Sequence, residues 1–166
     1  MMNNVKGRLI IQANIALTCV FLLSSFVAAI VFREPFKTIA VVIDLLCFSL
    51  GVVVFIWGYF SAVQRSRKDT ISVVELYFLV DGVATKKVAL VMNSLLGIQL
   101  MGGIGTALMR SSTDGQRGST LAFGILVPML GLGLNGLWAA HYGNFSSRGG
   151  GSSTQMPPLV APSGKD

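Results

Sequence analysis

The sequence predicts an all-α integral membrane protein, a four-helix bundle of two transmembrane hairpins with a short interfacial helix and a disordered C-terminal tail. Three observations predict it. Apolar runs at residues 9–32, 37–60, 88–109 and 120–142 are each long enough to cross the ~30 Å hydrocarbon core as a helix. Charged residues are 12% of the chain and apolar residues 52%, about half the charge of an ordinary soluble protein. The charges gather at the ends of the apolar runs, the pattern that orients membrane helices. The net charge is +6, but a nucleic-acid binder collects its basic residues on one soluble face. No nucleic-acid partner is expected. With 166 residues there is room for one domain, a four-span unit at 1–143 followed by a tail at 144–166.

The first run, LIIQANIALTCVFLLSSFVAAIVF, follows the basic residues Lys6 and Arg8. A basic start and an apolar stretch also describe a signal peptide, but this run exceeds a signal core and no A-x-A site closes it. It reads as a retained helix. Asn14, Thr18, Ser25 and Ala29 lie near one of its faces. The turn FREPFK holds Pro35, which cannot continue a helix, and Arg33, Glu34 and Lys37 place it among lipid headgroups. Helices one and two therefore form a hairpin.

The second run, KTIAVVIDLLCFSLGVVVFIWGYF, organises the chain. Its face of Ala40, Asp44, Cys47, Gly51 and Gly58 opposes a surface of Val, Ile, Leu and Phe, so its small side is expected to pack on protein. Cys19 and Cys47 have no metal or redox spacing; they read as packing thiols, with a disulfide between them as the alternative.

The longest connection is basic at both ends. Its apolar stretch, residues 71–80, is too short to span, and Ser72-Val73-Val74-Glu75 fits a capping box. Two readings stand side by side: a helix over about 69–81 lying in the interface with Asp69, Ser72 and Glu75 towards water, or an ordinary packed connector.

The third run carries Asn93, Ser94 and Gln99 beside Gly97, Gly102, Gly103 and Gly105. After the polar turn RSSTDGQRGS, the fourth has a seam of Gly124, Pro128, Gly131, Asn135 and Ala139. A mid-span proline predicts a kink and a Gly124 carbonyl without its usual donor. Trp138 and Tyr142 match an aromatic belt. Residues 144–166, rich in Gly, Ser and Pro, cannot bury enough surface to fold and read as disordered. The sequon at Asn144 reads as coincidence.

Four spans put both termini on one side, with nine of the thirteen basic residues; the other side holds Arg33, Lys37, Arg110 and Arg117. The positive-inside rule predicts cytoplasmic termini.

Asp44 is the only acid within a membrane-length apolar run. An intramembrane carboxyl costs ~3 kcal/mol on insertion scales and is treated first as functional. Three readings stay open: a protonated or Lys37-paired structural residue, a contact within the bundle or to a partner helix, and a proton or cation site. Matching residues by depth places Asp44 near the level of Ser24 and Ser25 in the first helix, Gln99 to Gly103 in the third and Pro128 in the fourth, so polar groups and the Gly124 carbonyl are expected to converge. Asn135 completes the candidate residues. No catalytic site, cofactor or metal is expected: His141 stands alone at a span end, and the glycine-rich stretches lie within spans, with no strand before them.

The stretch TLAFGILVPMLGLGLNGLWAAHYGNF at 120–145 resembles the last span of a family of small four-helix integral membrane proteins from actinobacteria, and SRKDTISVVELYFLVDGVATKK at 66–87 is similar to that family's cytoplasmic segment. Together they cover over a quarter of the chain. The resemblance implies a bacterial plasma membrane and carries no active residues. The function expected is that of a non-enzymatic accessory subunit or small scaffold acting through helix–helix contact. Its partners would be the lipid bilayer and either a membrane protein or further copies of itself. The alternative is a small transporter or channel using Asp44.

Overall fold

The structure is a computed structural model and describes residues 2–110, 112–113, 116–117 and 119–147, with side chains placed over 5–110 and 119–147. Four helices are long and apolar enough to cross a membrane. They are α1 (Met2–Val31), α2 (Phe36–Arg65), α4 (Lys86–Met109) and a fourth span, itself divided into a 3-10 helix (Thr120–Leu126) and α5 (Pro128–Tyr142). The polarity of the bundle is that of a membrane protein. Leu23, Ile30, Leu46, Leu90 and Leu108 point outward, while Asn14, Thr18, Ser25, Asp44, Gln99, Thr106 and Asn135 are buried. Hydrocarbon outside and hydrogen-bonding groups inside is what a lipid solvent selects.

Around the bundle α1 touches α2 and α4, and the fourth span touches both of these and, more lightly, α1. The fourth span lies innermost, with 50% of it buried against 22–33% of the others. The seams read from helical spacing face inward: Ala40, Asp44, Cys47, Gly51 and Gly58 are buried on α2, and Asn14, Thr18, Ser25 and Ala29 on α1.

Proline does more in the fourth span than the expected kink. It sits at the first position of α5, where its missing N–H costs nothing. The stretch before it tightens into 3-10 geometry, so the Gly124 carbonyl accepts the Val127 N–H at 3.2 Å. The carbonyl expected to be orphaned is therefore satisfied within its own span. Its tight coil passes against α4, where a Cβ on Gly103 would collide with Gly124 backbone.

Of the two readings of the long connection, the structure departs from the interfacial helix and takes the packed connector. Its helix α3 is six residues, Val73–Phe78, not 69–81; the Ser72–Glu75 capping box forms, and Asp69–Thr70 is a short strand, β1. Leu79 turns the chain in the left-handed region, and Leu76 and Tyr77 are buried, so α3 is docked into the bundle. Tyr77 stacks on Phe55 of α2 at 4.3 Å between centroids and lies over Gly136 of α5. Burial, with Tyr59 nearby, pushes its phenol up to about 12, leaving it a neutral donor to the Phe55 carbonyl at 3.3 Å.

The turn between α4 and the fourth span holds two short antiparallel strands, β2 (Ser112–Thr113) and β3 (Gln116–Arg117). Of the segment read as a disordered tail, residues 148–166 lie outside the described residues. Its first four are ordered: the Asn144 N–H donates to Val83 O at 2.9 Å, and β4 (Ser146–Ser147) pairs antiparallel with β1. At the opposite end Arg110 closes α1, donating to the carbonyls of Ala29 (2.8 Å) and Ile30 (3.3 Å) while stacking on Phe32. These are carbonyls that a helix terminus leaves unpaired. Both cysteines are free, with Cys19 outward and Cys47 buried, which removes the disulfide alternative.

Candidate functional site

The buried polar side chains form successive layers down the bundle. Matching by depth holds for Asp44, Ser25 and Gly124 and fails for Gln99, which the stagger of the helices carries to Gly131, Asn14 and Thr18. Nearest the α1–α2 turn, Asp44 stands beside Ser25 of α1, and its Oδ2 faces Gly124 closely enough that a Cβ there would lie 3.4 Å away. Both carboxyl oxygens and the Ser25 hydroxyl are buried without a hydrogen-bond partner. Lys37, the same-face cation, instead lies 3.5 Å from Glu34 and over the Phe32 ring.

The middle layer is knit around Gln99, with Asn14 Nδ2 buried and unpartnered. Gln99 Nε2 donates to Thr18 Oγ1 (2.7 Å) and Asn14 Oδ1 (3.1 Å), and Gln99 Oε1 accepts the Gly131 N–H at 3.2 Å. One carboxamide thus joins α1, α4 and α5, capping the first turn of α5 just below Pro128. Pro128 itself is half-buried and contributes only the break in the helix.

The third layer anchors α3. Asn135 Nδ2 donates to the Tyr77 carbonyl (3.0 Å) and to Asn93 Oδ1 (3.1 Å), and Asn93 Nδ2 donates to the Phe78 carbonyl at 2.6 Å. Asn93 and Tyr77 were not among the residues singled out from sequence as candidate sites. A tyrosine inside a short apolar run was the available signal, since its hydroxyl needs a partner wherever it is buried.

Beyond that layer, at the end carrying the termini, an open cleft of ≈ 990 Å³ is lined by Gly7, Arg8, Arg65, Trp138, His141 and Tyr142, with apolar residues of α1 and α4. Arg65 is held by Asp69 at 2.7 Å and by the Ala140 carbonyl at 3.3 Å, and it covers Phe145. Among the described residues no three of His, Cys, Asp or Glu come together to hold a metal ion.

No protein-family model, curated protein or solved structure matches the chain.

Proposed function

We propose that this multi-pass membrane protein is non-enzymatic and works through helix–helix contact, as an accessory subunit or small scaffold docked on the outer face of α4. One observation carries the reading: among glycines of the described spans, only Gly97 and Gly105 would place a Cβ in open space. The others meet a neighbour inside the bundle. A helix-interior glycine costs about 1 kcal/mol relative to alanine, and these two return nothing to the bundle. They flank Met101, 67% exposed, and continue to exposed Ser94, leaving room for another helix backbone to approach. The resemblance to actinobacterial membrane proteins and the basic residues on the termini side support a plasma-membrane location with cytoplasmic termini.

The test is purification of the tagged chain in mild detergent beside a Gly97→Leu/Gly105→Leu double variant. Wild type is expected to bring down a stoichiometric membrane partner or further copies of itself, and the variant to lose them with its thermal midpoint unchanged. A wild type that is monomeric and partner-free refutes the proposal.

A second reading is favoured by the unpartnered oxygens of Asp44 and Ser25. An unpaired buried carboxylate is too costly to leave uncompensated, so the pair would hold a proton or a small cation. Reconstituted alone in liposomes, the chain would then conduct protons or cations and Asp44→Asn would not. Absence of flux from wild type ends this reading.

A further inference from the structure

The geometry points to a binding site for one anionic phospholipid, its phosphate headgroup in the cleft at the termini end and an acyl chain in the groove running down α2. Arg8 lines the cleft and has no hydrogen bond or ion pair with any described residue. Trp138 is 9% exposed. Its indole N–H has no acceptor among the described residues, and it lies 3.3 Å from where a Gly7 Cβ would stand. With glycine there, the N–H remains open to the cleft that both residues line. Beside them Thr85, also in the wall, is the residue before α4, with no side chain capping the first turn of the helix and Lys86 and Lys87 heading it. A free guanidinium, an unused indole donor and an uncapped helix start are complementary to a phosphate.

His141 lines this cleft and also a second, more apolar groove of ≈ 600 Å³ bounded by Val53, Ile56, Trp57, Phe60, Ser61 and Gln64. From Gln64 to Val53 the groove descends about 16 Å at the helical rise, close to the depth of one leaflet. A headgroup site that opens at the interface onto an acyl-sized groove fits a lipid and not a soluble anion. The net charge of the headgroup is set by Arg8: a choline cation beside the phosphate would meet it unfavourably, a glycerol would not. This site is independent of the docking face on α4.

The chain has two tryptophans, one in the cleft and one in the groove, so fluorescence of the purified full chain in detergent reads occupancy. Titration with phosphatidylglycerol is expected to saturate at least tenfold below phosphatidylcholine. Arg8→Gln should weaken the former about tenfold and leave the latter unchanged. Trp138→Phe, which keeps a ring and removes the donor, should weaken it as well, read by the remaining Trp57. Arg33→Gln, of equal charge change at the far end, should not. Equal affinity for the two lipids, or phosphatidylglycerol binding indifferent to Arg8→Gln, overturns the proposal. Displacement of the lipid by inorganic phosphate at matched concentration would assign the cleft to a soluble phosphate and overturn it equally.

Discussion

Gly51→Ala is expected to destabilise the bundle by about 3 kcal/mol or more, whereas Gly97→Ala is expected to leave it unchanged or slightly firmer. A Cβ on Gly51 would lie 2.5 Å from Leu130 N and 2.7 Å from Leu130 Cα and from the Met129 carbonyl carbon. All three are backbone, so no side chain can rotate aside and α2 must move off α5. That crossing is glycine on both helices, since a Cβ on Gly133 would stand 2.5 Å from the Gly51 carbonyl oxygen. Lipid supplies no hydrophobic force between helices, so this close packing is much of what holds them. The same substitution at Gly97 meets nothing within 4 Å and gains helix propensity. Thermal midpoints of the two variants in one detergent make the comparison. Equal midpoints would show that α2 and α5 are not in backbone contact.

Much of this bundle was legible in the sequence. In lipid the surface is uniformly apolar, so any small or polar residue recurring at helical spacing marks the inner face. On that logic Ala40, Asp44, Cys47 and Gly51 are all buried. The relative height of the helices was not legible. Counting residues inward from each span's end assumes equal stagger and unbroken helices, and the 3-10 stretch before Pro128 breaks the count. Gln99 consequently meets Gly131 and not Asp44. Nor could the apolar stretch at 71–80 say whether it would lie on lipid or enter the bundle, because both bury hydrocarbon. What distinguishes them is the capture of two carbonyls, Tyr77 by Asn135 and Phe78 by Asn93, partners 58 and 15 residues distant in the chain. The cleft was hidden for the same reason. Arg8, Arg65 and Trp138 are each ordinary at a span end, and only the fold brings them to one wall.

The stagger also separates residues that the sequence made look alike. Gln99→Leu is expected to cost about 2–3 kcal/mol, and Asp44→Asn less than about 0.5 kcal/mol. Both side chains are polar, inside the bundle and at most 1% exposed, but their surroundings differ. Removing the Gln99 carboxamide strands the Gly131 N–H, whose acceptor it supplies, and takes the donor from Thr18 Oγ1 and Asn14 Oδ1. Asn14 already has one buried nitrogen without a partner, so leucine would leave that amide without either partner outside its own helix. Within the membrane no water reaches these groups to replace what is lost. Asp44 has no hydrogen bond to lose, and an amide of the same shape removes the chance of an uncompensated charge beside Ser25. Thermal or denaturant midpoints of the two variants in the same detergent decide it. A larger loss from Asp44→Asn than from Gln99→Leu would mean that Asp44, not the carboxamide, is what binds the helices together.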